Sequence, residues 1–345
     1  MSTEAANLRR WTDDQRGVYE VWYLTFNHAP TGLGFWLRFV IEQPDHGPAR
    51  GELWFARFDP GEPARTFGVH RRFAGFGSSE APFWISIGQP APSELAHDRT
   101  RGGFEGDGHT IAWNLRWQPA ARTLPFLPDL ADRLGIAETT VISPNPAVLM
   151  SGFITVDGER YDFERATLGQ THLWGTRHAY AWAWGHCADF EEAPDAHLEL
   201  LAPRLHRRHF RNEVTLPPLV LVTLDLDGTR HHFNQFRHLV QNRATWSTSS
   251  STVRVEFSAR SALWKVEGEL TCEPREMVNA PYYDPDGTKL YCANTEIGDA
   301  RVTLSRRTLF GWQEVRLLES HGRAHFELGS RAPDPAVTRA HVTIE

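Results

Sequence analysis

The sequence predicts an all-β protein, a sandwich or barrel assembled from antiparallel hairpins. Three observations carry this. Short runs rich in Val, Ile, Thr, Phe, Tyr and Trp follow one another, with turn residues between them. Asp-Gly pairs sit between such runs, as two-residue hairpins require. Helical periodicity is scarce, so nothing long enough to cross over between parallel strands lies between the runs.

Taken in order, Val18–Asn27 alternates, and Phe35–Glu42 and Gly51–Phe58 follow, the latter ending in Asp59-Pro60-Gly61. Phe83–Gly88 comes next, then Thr110–Trp117 after Gly106-Asp107-Gly108. One short helix is expected at Leu127–Leu134, after Pro125 and Pro128. Gly152–Val156 and Glu159–Phe163 flank Asp157-Gly158; Leu219–Leu226 and Thr229–Phe236 flank Asp227-Gly228. Val253–Phe257, Leu263–Thr271, Lys289–Ile297, Arg301–Arg306 and Trp312–Leu318 complete the series. The hairpins at Ile154–Phe163 and Leu224–Phe233 echo one another: an apolar strand, Asp-Gly, one residue, Arg, and an aromatic-bearing return. The echo suggests two related β-domains. Glu191–Asp195 and the charged stretch Arg204–Arg211 read as connections, so the expected domains are 1–195 and 196–345.

Composition narrows the function. With 36 basic and 43 acidic residues the net charge is −7 and no basic run exists, which argues against nucleic acid and anionic membrane surfaces as partners. No apolar stretch approaches ~18 residues, so no integral membrane segment is expected. Met1–Asp14 is polar, unlike a signal peptide. Cys187, Cys272 and Cys292 are far apart and odd in number, which fits neither a disulfide framework nor a zinc site and points to the cytoplasm. The 13 Trp and 20 Phe supply stiff wall material for a wide core or a lined cavity.

The segment Gly169–Phe190 is the most informative. His178, Tyr180, Trp182, Trp184 and His186 share one parity; Ala179, Ala181, Ala183 and Gly185 share the other. In an extended strand these parities are opposite faces. One face is therefore large, aromatic and polar, as a ligand pocket requires, and the other is bare enough for close packing. Cys187 falls on the bare face, away from any nucleophilic role. His172 and Trp174 precede, with Gly175 allowing a bulge. His172, His178 and His186 along one strand would stand roughly 20 Å or more apart at the ends, too far for one ion, so no metal is expected.

The residues His172, Trp174, Gly175, His178, Ala179, Trp182 and Trp184 together resemble the motif of the carotenoid 1,2-hydratase and tocopherol-cyclase-like superfamily. Tyr19–Tyr23 resembles its opening strand, Phe35–Arg38 with Gly51–Phe58 its second and third strands, and Ser143–Phe163 the lead into the motif. The resemblance covers about residues 17–200, and departs from the carotenoid hydratases at the acidic position. It implies two lipocalin-like antiparallel β-barrels in tandem, with a hydrophobic cavity in or between them. It implies water addition to an isoprenoid double bond, proton-initiated ring closure or intramolecular cycloaddition.

Such chemistry needs an acid held in an apolar pocket and π-faces for a carbocation. The expected catalytic residues are His178, His186 and Asp189. The expected substrate-binding residues are Trp174, Tyr180, Trp182, Trp184, His172, Trp22, Glu20, His232, Asn234 and Glu296. Glu20 and Glu296 are further candidate acids; His232 and Asn234 alternate and are expected to line the second barrel. The expected activity is a cofactor-independent hydratase or cyclase acting on a hydrophobic unsaturated small molecule. A carrier of an isoprenoid, sterol or acyl lipid is the alternative.

Overall fold

A computed structural model describes residues 1–127, 138–209 and 212–337. A short helix, α1 (Thr3–Asn7), precedes the first sheet. That sheet comprises β1 (Val18–His28), β2 (Leu33–Gln43), β3 (Arg50–Phe58), β4 (Phe67–Ala74), β5 (Gly77–Glu80), β6 (Phe83–Ile87), β7 (Ser93–Ala96), β8 (Arg99–Gly106), β9 (His109–Trp117), β10 (Leu124–Pro125), β11 (Thr139–Val156) and β12 (Glu159–Gly175). The second comprises β13 (Ala181–Cys187), β14 (His197–Arg204), β17 (Leu221–Leu226), β18 (Thr229–His232), β19 (Arg243–Thr248), β20 (Val253–Arg260), β21 (Trp264–Cys272), β22 (Val278–Tyr283), β23 (Lys289–Thr308) and β24 (Gly311–Ser330). Between them in sequence, β15 (His206–His209) and β16 (Asn212–Thr215) pair only with each other, so part of the expected charged connection is a small hairpin. A one-turn helix, α2 (Phe236–Leu239), follows β18. Of the expected helix at Leu127–Leu134, only Leu127 falls within the described residues.

All strand ladders among the described residues are antiparallel, and the chain folds as two lipocalin-like β-barrels in tandem. The two sheets repeat one topology. The first runs β4-β3-β2-β1-β12-β11-β9-β8-β7-β6-β5; the second runs β18-β17-β14-β13-β24-β23-β21-β20-β19. In each, the opening strand pairs with the closing one, and a pair of very long strands follows: β11 with β12, β23 with β24. The change of sheet falls between Gly175 and Ala181. The domain limit expected at 195–196 falls later, inside the second sheet.

The turns follow from sequence. Asp157-Gly158 and Asp227-Gly228 both adopt positive φ (51° and 85°; 51° and 72°). That is the left-handed geometry of a type I′ turn, whose twist matches its strands. The topology shows, however, that the two echoing hairpins are not counterparts. β11–β12 corresponds in sheet order to β23–β24, whereas β17–β18 corresponds to β3–β4.

Each barrel is filled by its own apolar core. Trp22, Leu24 and Phe26 point into the first; Ala183, Leu198, Leu200 and Val222 point into the second. A third cluster joins them, drawing Tyr19, Tyr23, Trp36 and Trp54 from the outer face of the first barrel and Trp182, Trp184, Leu221 and Tyr282 from that of the second. This explains why β2 is buried along its whole length: both its faces are covered, so it reads as an apolar run. The seam is also tied by polar contacts. Asn27 Nδ2 donates to the Glu296 carbonyl (2.7 Å), Thr25 donates to the Glu296 carboxyl, and His325 Nε2 lies 2.7 Å from Asn27 Oδ1. No helix among the described residues is long and apolar enough to cross a membrane.

Candidate active site

The alternation in β13 places its residues. Trp182, Trp184 and His186 lie on the face turned toward the first barrel, while Ala183 and Cys187 lie in the second barrel's core. Gly185 also faces that core, where a Cβ would stand 2.3 Å from Leu270 Cδ1, so the bare face is indeed closely packed. Burial holds the Cys187 thiol protonated, pushing it up to about 11.

Beside Trp182 and Trp184 is a cavity of about 330 Å³ between the barrels, not inside either one. The barrel interiors are occupied by their own side chains, so the large face of β13 meets a hollow only at the seam. The first barrel contributes Tyr23, Trp36 and Arg38 from β1 and β2, Val141 from β11 and Leu173 from β12. The second contributes Leu201 and Pro203 from β14, Leu221, Tyr282 and Glu327. Phe236 and Leu239 of α2 stand at its edge. The wall is thus mostly apolar and aromatic, with few polar groups, as ligand pockets are.

Among the polar groups in the wall, Glu327 and His178 are held by specific hydrogen bonds. Glu327 on β24 lies opposite Trp184 in the ladder. Its Oε1 accepts from Trp182 Nε1 (2.7 Å) and its Oε2 from Cys292 Sγ (3.1 Å). His178 lies in the link between the sheets. Its amide N–H and its Nδ1 both donate to Asp284 Oδ1 (2.9 and 2.7 Å), fixing the ring and leaving Nε2 as an acceptor. Burial lowers the His178 pKa, opposed by Asp284, so the imidazole is neutral. The ring stacks on Tyr19 (4.4 Å) and Trp182 (5.7 Å). Burial also holds the Tyr23 and Tyr282 phenols well above their ordinary range.

Arg38 also lines the cavity; it is only 5% exposed, and its guanidinium sits 3.9 Å from the Tyr282 ring centre.

Behind Trp184 lies a second, sealed set of polar groups. His186 stacks on it (6.1 Å), donates from Nε2 to the Pro146 carbonyl (2.7 Å) and meets His325 at 3.1 Å. Burial lowers His186 to about 4. Glu199, pushed up to about 8 by burial, accepts from Ser143 Oγ (3.1 Å). Both groups are neutral at pH 7 and neither borders the cavity.

The other expected residues are scattered. Glu20, His172 and Trp22 meet inside the first barrel: Glu20 Oε1 lies 2.7 Å from His172 Nε2, and Trp22 stacks on the imidazole. Glu20 is fully buried, not solvated, and also accepts from the Arg10 amide (3.0 Å). Trp174 is half-buried under the Arg10 guanidinium. Glu296 is sealed in the seam, its pKa raised by burial first and by Glu327 second. Asp189 lies past the end of β13, paired with Arg323 at 2.7 Å and partly exposed, so it does not reach the cavity. Tyr180 falls before β13 begins and is exposed, because the chain is still crossing between sheets there. His232 ends β18 and is exposed; Phe233, not its neighbours, enters the second core. Asn234 instead donates to the Phe126 carbonyl (3.0 Å). No cluster of metal-binding side chains occurs among the described residues.

Fold and site together define a class: tandem β-barrel proteins with a ligand-sized aromatic cavity at the seam. The chain belongs to the tocopherol cyclase-like family, whose profile matches residues 136–330. An uncharacterized protein of Mycobacterium tuberculosis strain H37Rv is 27% identical over 333 residues, 95% of this chain and 91% of that one. Among solved structures, CghA shares the fold with a TM-score of 0.60 at 12% identity, over 97% of this chain and 93% of that one. Kievitone hydratase from Nectria haematococca shares it with a TM-score of 0.51 at 10% identity, over 90% and 88%.

Proposed function

We propose that the chain is a hydratase or cyclase that adds an O–H bond across a carbon–carbon double bond of a hydrophobic, unsaturated, isoprenoid- or polyketide-like molecule. The observation that carries this reading is that a carboxyl, Glu327, and a carboxylate-held imidazole, His178, both stand on the wall of a mostly apolar, aromatic cavity. Family membership supports the same class.

The chemistry balances without an oxidant. The Glu327 carboxyl serves as the proton donor to one alkene carbon. Positive charge develops on the other carbon, facing the rings of Trp182, Trp184 and Tyr23. The oxygen of water, or of a hydroxyl within the substrate, bonds to that carbon, and its proton passes to His178 Nε2. The Trp182 N–H and Cys292 S–H then hold the Glu327 carboxylate. Exchange with solvent restores both groups. Enclosure serves twice: it orients a flexible chain for closure and limits stray water around the cation.

The test uses the full chain with prenylated phenols and linear polyenes in deuterium oxide, following products by mass spectrometry. The expected product carries one deuteron on carbon. Glu327→Gln should lower turnover by about 10²–10⁴-fold, the usual worth of a general acid, while ligand binding persists. His178→Asn should lower it similarly. Wild-type turnover in both variants would overturn the assignment. Binding with no deuterium gained would favour a carrier of an isoprenoid, sterol or acyl lipid.

A further inference from the structure

We infer that the molecule held between the barrels carries a carboxylate, and that Arg38 receives it. The inference rests on the proposed reading of the seam cavity as the substrate site and adds the chemical nature of the substrate's polar end.

Arg38 stands in β2 within the run Leu33–Ile41, where every other residue except Gly34 is apolar or aromatic. Its Nη1 is buried and makes no hydrogen bond. Its contacts among the described residues are with rings: Tyr282 at 3.9 Å, Trp54 at 5.7 Å and Trp36 at 5.9 Å. No carboxylate among the described residues forms an ion pair with it, although the nearby Arg50, Arg57 and Arg72 are all so paired.

Burying a guanidinium without a counter-charge is costly, and native proteins pair nearly all such groups. Rings relieve part of the cost, but they satisfy no N–H donor. Arg38 lines the cavity, and the natural complement of a planar guanidinium is a carboxylate bound through two parallel hydrogen bonds. Arg177 also borders the cavity, but it is half-exposed and paired with Asp286 at 2.8 Å. Among the described residues that line the cavity, Arg38 is thus the cation without an ion-pair partner. Arg38 stands on the first barrel and Glu327 on the second, and both line the same cavity.

The test is binding, read by quenching of tryptophan fluorescence in the full chain. The probes are geranic and farnesoic acids, each against its methyl ester. A desolvated, charge-assisted hydrogen bond predicts that each acid binds about 10- to 100-fold more tightly than its ester. Arg38→Met should erase that preference while ester affinity is kept, and Arg38→Lys should retain part of it. Circular dichroism checks that each variant is folded, and Arg38→Gln replaces the methionine variant if needed. Equal binding of acid and ester by the wild-type chain, failure of both acids to bind, or an undiminished preference in a folded Met or Gln variant would each overturn the inference. Glu327→Gln separates the two readings: it should lose turnover and keep the acid preference.

Discussion

Glu199 shows how a single buried carboxyl shapes pH behaviour. It is sealed behind Trp184 and pushed up to about 8 by burial. Between about 4.5 and about 8 the native chain therefore holds a proton that the unfolded chain has released, so stability falls as pH rises through that window. His186 acts oppositely. Lowered from 6.5 to about 4, it makes the native state poorer in protons than the unfolded one, and stability is lost as pH falls through that range. Glu199→Gln should remove its share of the fall in Tm between about pH 4.5 and about pH 8; thermal scans across pH check this. An unchanged slope across that window would show that Glu199 does not cause it. These residues also mark the limit of sequence reading. His178 and Trp182 are visible because they share a pattern. Glu327 sits in a mixed strand where its parity looks like that of any edge glutamate. Arg38 does carry a signal, a lone cation in an apolar run, but its meaning depends on a second barrel covering that face.

At the level of elements, alternation in β13 was readable because side-chain direction depends only on strand geometry. The start of the strand was not. Whether residue 178 or 181 begins it depends on where the chain leaves one sheet for the other, a contact between distant segments. The same pairing sets the Trp182 indole. Gly329 lies opposite it in β24, and a Cβ there would stand 2.2 Å from the ring. The indole covers the glycine backbone and is held in reach of Glu327 by that close approach. Gly329→Ala should push the ring aside, break its hydrogen bond and cost about 1–3 kcal/mol in chemical denaturation. Retained stability together with retained turnover would show that the ring has room to adjust.

For the whole molecule, the predicted all-β class follows from turn chemistry and local composition alone, and the structure has it. The repeat of topology does not follow from the echo of two hairpins, since those occupy different places in the sheet order. Related sheets can keep their strand order after their sequences have diverged, because burial constrains parity far more than identity. The shared cluster at the seam predicts cooperative behaviour. Exposing either barrel's outer aromatic face would strand large rings in water, so the two should unfold together. Far-ultraviolet circular dichroism and tryptophan fluorescence should give coincident denaturation curves. Two separated transitions would show that the barrels are independent.

The hollow belongs to neither barrel, and this has a consequence for how it changes in evolution. Its width is a distance between two solid bodies, not the bore of one. A substitution deep in either core that tilts one body slightly would reshape the ligand's berth without altering any residue that touches the ligand. Specificity in such a protein can drift from afar, while the berth's own side chains stay the same.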